Sequence, residues 1–275
     1  MKLPENRPKS YDTSRTLDLR PLDGEMIKPA ELIDIQGGAG LSLGARRVYN
    51  KLLANAFGPL MADPDQDFEI SLAELRGAHD SNDRLGEYLE ALMKTIVIVT
   101  DANGDKERVA LLGWNNMINT NREHGELRYS FDKHLGPMLR NSVVFAKLEL
   151  AVLHSFTTKY GLALYELISR RIRLSFVFSE VFDIDEFRDL IGVPAGKLSS
   201  FGNLRQKAIE PAVAEIYALA PFNCSVEVAE RVGRKVTKVK LSWWVKTEEE
   251  MRAIYAVRQS VALDVIEPLT DQMRE

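Results

Sequence analysis

One cysteine among 275 residues, Cys224, leaves no partner for an intramolecular disulfide and too few thiols for a cysteine-rich zinc site. It fits a reducing compartment and reads as a small strand residue. Histidine is equally sparse: His79, His124, His134 and His154 are scattered along the chain. A nicking enzyme would want a tyrosine nucleophile beside clustered histidines or acids, and no such cluster is evident. No apolar run approaches the roughly 20 residues that cross a bilayer, and residues 1–8 lack the apolar core of a signal peptide, so a cytoplasmic protein without membrane contact is expected. There is no GxxxxGK[ST] loop and no strand-flanked GxGxxG, which leaves ATP and dinucleotides without a motif. His79, Asp80 and Asp83 hold a single histidine and the aspartates suit helix caps, so no metal is expected. Asp183, Asp185 and Glu186 likewise read as caps of a helix opening at Ile184. Neither catalysis nor a cofactor is indicated.

What is present is ordinary globular material, 45% hydrophobic and 28% charged, long enough for two domains of roughly 100 to 150 residues each. The net charge of -4 runs against a strongly basic nucleic-acid footprint, so any DNA contact must come from a local patch. Residues 1–30 carry prolines and charges without apolar periodicity and are expected to form a flexible arm. Helical spacing then begins, with Leu43, Ala45, Val48, Leu52, Leu53, Ala56 and Phe57 on one side and Arg46, Arg47, Asn50 and Lys51 largely on the other. Phe68 and Ile70 suggest a short strand, and Ser71 with Glu74 three residues on opens another helix that Gly77 stops. After a turn over residues 78–82, a helix buries Leu85, Leu89, Leu92 and Met93. Strands over 96–100, 109–112 and 127–131 follow. Helix-turn-helix followed by a hairpin predicts a winged helix, and a long helix over about 143–173 is expected to lead into a second domain.

The second half repeats the first in outline, without evident sequence identity. A short helix over 184–191 ends at Gly192, Pro194 and Gly196 make a turn, and a longer helix runs over 198–219. Val226 and Val228 mark one strand; another, over 236–245, puts Val239, Leu241 and Trp243 on one face and Lys238, Lys240 and Ser242 on the other. In the longer helix Phe201, Leu204, Ala208, Ala212 and Ile216 form the buried stripe, with Arg205 nearer that side, while Ser199, Asn203, Gln206 and Lys207 lie opposite. Asn and Gln suit adenine, and Lys and Arg suit guanine or phosphate, so this polar face is competent for a major groove. Residues 197–246 hold nine Lys or Arg against four Glu, a local excess of five positive charges. Such an excess can outweigh an acidic remainder through counterion release. The same pattern also suits a solvated helix beside an edge strand whose lysines block sheet-to-sheet pairing. In the first half Asn82 and Arg84 stand at the corresponding helix start among several acids, where a structural cap is the simpler reading. Met251, Ile254, Val257 and Val261 suggest a final helix in a tail over 247–275.

Five stretches carry a resemblance: LSLGARRVYNKLLANA (41–56), ELRGAHDSNDRL (74–85), KYGLALYELI (159–168), FRDLIGVPAGKLSSFGNLRQKAIEPAVAEIYAL (187–219) and GRKVTKVKLSW (233–243). Over residues 31–246 the chain resembles the Rep initiator proteins of iteron-containing plasmids, particularly alphaproteobacterial ones. The resemblance implies an α+β fold of two tandem winged-helix domains related by pseudo-symmetry. Between the arm (1–30) and the helical tail (247–275), it implies an N-terminal domain for dimerisation and DNA contact (31–158) and the main DNA-reading domain (159–246). It also implies binding of double-stranded origin repeats, a monomer-dimer equilibrium with autorepression by the dimer, and delivery of the opened origin to host initiator and helicase. Carried onto this sequence, the recognition helix holds Ser199, Ser200, Asn203, Arg205, Gln206 and Lys207, with Lys197 just before it, and Arg205 and Lys207 as its principal residues. The wing, Gly233, Arg234 and Lys235, with Lys238 behind it, would meet phosphate. Tyr217 departs from the family pattern, where Asn is common, and the overall acidity is a second departure. A winged-helix transcriptional repressor with no initiation role is the alternative reading, and a protein-interaction module is a third.

Overall fold

The computed structural model describes residues 15–76, 81–100, 104–120, 125–174 and 176–254. Helix α1 (Leu43–Ala56) starts where the Ser42 hydroxyl accepts from the Ala45 N–H, and it buries Ala45, Val48, Leu52, Leu53 and Ala56. Its polar side is engaged as well. Arg46 donates to the Gly38 carbonyl at 3.1 Å, Arg47 to the His154 carbonyl at 2.7 Å, and Lys51 to the Glu74 carbonyl at 2.7 Å. Asn50 is buried outright, in contact with Lys28 of strand β1 (Glu25–Pro29). A helix sequence that looks half solvated is therefore wrapped on all sides, with its cations spent on backbone carbonyls.

Strand β2 (Phe68–Ser71), one-turn helix α2 (Leu72–Leu75) and helix α3 (Asn82–Lys94) follow. Ser81 caps α3 by accepting from the Arg84 N–H at 3.2 Å, and Leu85, Leu89 and Leu92 are buried, while Met93 is exposed. Gly77 and most of the predicted 78–82 turn, with His79 and Asp80, lie outside the described residues. The next four strands are β3 (Ile96–Thr100), β4 (Lys106–Ala110), β5 (Trp114–Ile118) and β6 (Glu126–Ser130). Strands β3 and β4 form a two-stranded hairpin, which Gln36 joins by an isolated antiparallel bridge to Ile98, whereas β2, β6 and β5 form a sheet in that order.

Helix α4 (Leu135–Leu139), strand β7 (Phe145–Glu149) and helix α5 (Leu150–Ser155) complete this half, and β7 pairs antiparallel with β1. Two expectations change here. Residues 25–29, assigned to the flexible arm, are a strand whose Met26 and Ile27 are buried; residues 1–14 lie outside the described residues. The single helix over 143–173 is instead β7, α5 and a separate helix α6 (Lys159–Arg171). Leu148, Val152, Phe156 and Tyr160 fall at i, i+4 spacing by coincidence, for Ala146 and Leu148 are buried with a strand's period of two.

Helix α6 is buried over residues 161–169 almost without interruption, between β7 on one side and the second half on the other. Strand β8 (Ser179–Asp183), helix α7 (Ile184–Leu190), helix α8 (Phe201–Leu204), a π turn (Arg205–Ile209), helix α9 (Glu210–Leu219) and strands β9 (Phe222–Val232) and β10 (Lys235–Val245) follow. Their sheet runs β8-β10-β9. The two halves thus share a plan: helix, strand, helix, helix, then two strands, with the first strand beside the last. α1 matches α6, β2 matches β8, and the β5–β6 pair matches β9–β10. The hairpin β3–β4, which the sequence pattern takes for the first wing, is an insertion ahead of the equivalent pair. Strands β5 and β8 were not predicted. Asp183 does stand at the N-cap of α7, yet its side chain makes no capping bond.

Candidate nucleic-acid interface

The helix over 198–219 is not continuous as expected. It begins at Phe201, where the Ser200 hydroxyl accepts from the Asn203 N–H at 3.2 Å, and residues 198–200 belong to the preceding turn, with Leu198 at φ +49°. Arg188 of α7 holds that turn by donating to the Lys197 carbonyl at 2.9 Å and to the Leu198 carbonyl. Its guanidinium thus fixes how α8 is presented, a role that spacing alone gives no hint of. Ser200 is first a cap, although its O–H remains able to donate.

Pro211 explains the π turn. It has no N–H for the carbonyl four residues back and its ring crowds that carbonyl, so the chain inserts an extra residue; the Glu210 N–H bonds to the Arg205 carbonyl. The buried stripe survives at Leu204, Ala208, Ala212 and Ile216. Arg205, expected nearer the buried side, is displaced outward: its side chain is 66% exposed and its Nε lies 2.9 Å from Glu210 Oε1. Asn203, Gln206 and Lys207 are exposed too, and make no side-chain hydrogen bond or ion pair with the described residues.

The far end of this helix is held from the sheet. Lys246, counted above in the basic excess, is buried, and its Nζ lies 2.8 Å from the Ala220 carbonyl and 2.5 Å from that of Tyr217. It serves as a cationic cap at the negative end of the helix and adds nothing to the surface charge. Tyr217, the departure from the family pattern, is exposed, with the Lys246 ammonium 5.3 Å from its ring centroid. Glu215, on α9, reaches back to the start of α6, where its carboxylate accepts from the Thr157 N–H at 2.6 Å and the Thr158 N–H at 3.1 Å. It also accepts both threonine hydroxyls. A Cβ on Gly161 would sit 2.0 Å from Glu215 Oε2, so glycine is what admits the carboxylate.

The wing turns over Gly233 and Arg234, with Gly233 at φ +61° as the first central residue of a two-residue hairpin loop. Arg231, Arg234 and Lys235 are exposed at its tip. β10 is the central strand rather than an edge, so its lysines do not guard an open edge. Lys240 is exposed on the outer face, and Lys238 lies 3.4 Å from Glu230. A cleft of about 820 Å³ lies between the turn and the wing; Lys197, Ser199, Ser200, Arg234 and Lys235 all line it, together with Gln36 and Ile98 from the first half. Five predicted residues, separated by more than thirty positions, thus share one concavity. Asn203, Arg205, Gln206, Lys207 and Lys238 do not line it. In the first half Asn82 donates to the Thr120 carbonyl at 2.7 Å, joining α3 to the β5–β6 loop, and Arg84 is exposed. No helix among the described residues is long and apolar enough to cross a membrane.

No curated protein matches the chain. The family description "Initiator Replication protein, WH1" matches residues 25–169, and "Initiator Rep protein, WH2" matches residues 183–243. Among solved structures, the chain is similar to the Pi initiator protein crystallised in complex with iteron DNA, with a TM-score of 0.58 at 19% identity over 82% of this chain and 98% of that one. At such identity the likeness speaks for the fold, two winged helices in tandem, which is also what the repeated strand order describes. With both halves matched by their own models, the chain belongs to the initiator Rep protein family.

Proposed function

We propose that this protein is a plasmid replication initiator that binds directly repeated sites at an origin, using the α8–α9 face and the β9–β10 wing. The observation that carries the reading is the uncommitted polar face of Asn203, Gln206 and Lys207 beside a cleft shared by Lys197, Ser199, Ser200, Arg234 and Lys235. Side chains already spent on internal bonds would have to be released before they could meet DNA; Asn203, Gln206 and Lys207 have no such bond among the described residues. The helix face supplies types that read base edges, while the wing and turn supply cations and N–H groups for phosphate. Arg205 and Lys238, each paired with a neighbouring glutamate, belong to the same surface. Asn82 and Arg84 would give the first half a lesser contact.

In this reading the unit from residue 159 to 246 reads most of each repeat, while the unit from 31 to 158 adds DNA contact and pairs two copies. Bound repeats promote origin opening, and host initiator and helicase take over the opened DNA. A dimer represses the protein's own promoter. The resemblance to initiators of iteron plasmids supports these steps, and the Pi initiator, whose structure was solved on iteron DNA, supports the binding of repeats alone.

The test is fluorescence anisotropy with an origin fragment carrying direct repeats and with a scrambled copy, across a salt series. Repeat-selective binding is expected, and Lys207→Ala together with Arg205→Ala should lower affinity for the repeats by about tenfold or more while leaving thermal unfolding within a few degrees. Equal binding to both duplexes would overturn the initiator reading, and unfolding of the variant would remove these residues from the surface role.

A further inference from the structure

The ion pair on the recognition helix has a geometry that ordinary helical spacing does not allow. Residues five apart on a regular α-helix point about 140° away from each other. The π turn, with its Glu210 N–H to Arg205 carbonyl bond, brings positions 205 and 210 onto one flank, where Arg205 Nε and Glu210 Oε1 are 2.9 Å apart. Both side chains are more than half exposed, so solvation and salt keep the pair weak. Arg205 is the one cation of that helix face held by an acid, for Lys207 has no such partner among the described residues.

We infer that Glu210 is a specificity-determining residue that stands in for a DNA phosphate, holding Arg205 until a correctly placed partner on the DNA replaces it. The inference rests on the proposed DNA-binding reading. In a sequence-independent complex, phosphates meet the helix loosely and compete poorly with a carboxylate 2.9 Å away. Arg205 then stays with Glu210, and one phosphate contact is lost. At a cognate repeat, the fixed register offers Arg205 a partner at close range, and the pair opens. Glu210 therefore suppresses unproductive binding more than cognate binding. A weak pair suits this role, since a strong one would block both. The basic tip of the wing, Arg231, Arg234 and Lys235, carries no such ion pair among the described residues and supplies unspecific attraction throughout.

The experiment compares the full chain with Glu210→Gln, Arg205→Ala and the double variant on the repeat and scrambled duplexes over a salt series, with circular dichroism to verify folding. Glu210→Gln should raise affinity for the scrambled duplex about two- to fivefold, the range expected for releasing an exposed ion pair. It should steepen the salt slope by about 0.9, one added phosphate contact. Affinity for the repeats should rise less, narrowing discrimination. In the Arg205→Ala background the gain should shrink, because no arginine is left to release. An unchanged affinity for the scrambled duplex would overturn the inference. So would an equal gain with and without Arg205, which would make Glu210 a plain repulsive charge. If the unmodified protein shows no preference for repeats, the DNA-binding reading falls first and this inference with it.

Discussion

Replacing Glu166 by alanine tests the interior of the molecule most sharply. The Lys28 ammonium lies 3.0 Å from Glu166 Oε2 and 2.9 Å from Asn50 Oδ1, while Asn50 donates to Glu166 Oε1 at 2.7 Å. All three residues are buried, so β1, α1 and α6 meet at an interior polar triangle, with Arg46 close enough to act on both Lys28 and Glu166. Removing the carboxylate strands a cation there, and breaking a buried pair from one side costs about 3–5 kcal/mol. The lysine's own chemistry sets the ceiling: giving up its proton at pH 7, from an ordinary value of 10.5, costs about 5 kcal/mol, and beyond that it folds neutral. Burial already pushes Lys28 below its usual range. At about 2–4 °C per kcal/mol for a chain of this size, thermal unfolding followed by circular dichroism should drop by roughly 10 °C. Glu166→Gln, which keeps an acceptor for Lys28, should lose less. If Lys28 is neutral in the folded Glu166→Ala variant and charged when that variant unfolds, the unfolded state binds the extra proton. Stability of the variant then rises with pH, by about 1.4 kcal/mol per unit between pH 7 and 9. A midpoint within about 3 °C of the unmodified protein would refute the account, whereas a deficit that ignores pH would mean that Lys28 keeps its proton in the folded variant.

His154 is exposed near Lys51 and Arg47, and partial desolvation first, then those two cations, pull its pKa below 6.5. The unfolded chain therefore takes up the proton first, so stability should fall as pH drops below 6.5 toward the lowered value, and His154→Gln should flatten that part of a plot of unfolding midpoint against pH. Cys224 lies buried on β9, and burial pushes its thiol up to about 12; it should resist iodoacetamide in the native protein at pH 8 and react once the chain is unfolded in urea. Glu215→Ala removes a carboxylate that accepts from both N–H groups and both hydroxyls of Thr157 and Thr158, and should cost about 2–3 kcal/mol in urea unfolding. Lys246→Ala leaves the carbonyls of Ile216, Tyr217 and Ala220 without their shared donor, and should cost about 1–3 kcal/mol by the same assay.

Long elements with one apolar face were legible in the sequence. α3 buries a single stripe, Leu85, Leu89 and Leu92; in α1 the covered outer side is filled by polar residues, so its apolar stripe stays readable, and β10 alternates cleanly over Val239, Leu241 and Trp243, past the bulge near Lys238. Where burial is all-round or the element is short, periodicity fails. Strand β5 has no fully buried residue, so WNNMI offers no alternation to find, and β7 was absorbed into a helix through accidental i, i+4 spacing. The Thr157–Thr158 pair was the available signal for the break before α6, since Thr158 caps that helix through its hydroxyl. Pro211 was likewise the signal for the π turn. Overlooking it placed Arg205 toward the core stripe, whereas the extra residue carries it outward to Glu210. The polar face of Asn203, Gln206 and Lys207 was readable because surface positions opposite a regular stripe follow from the stripe itself. Lys246 was misjudged because a count of charges carries no depth: one of nine cations faces inward. Arg188, which sets the turn, left no trace in spacing, as its partners are backbone carbonyls rather than side chains.

Helix α6 lies against β7 of one half and α9 of the other, and is buried almost end to end. Such a helix acts as a keel common to both winged helices. A fragment on either side of it would be left with a raw apolar flank, so the repeats, though built on one plan, have given up the independence that duplicated modules usually keep. Heat or denaturant should then take the molecule apart in a single step, and the reading surface would owe its persistence to contacts on the far side of the protein.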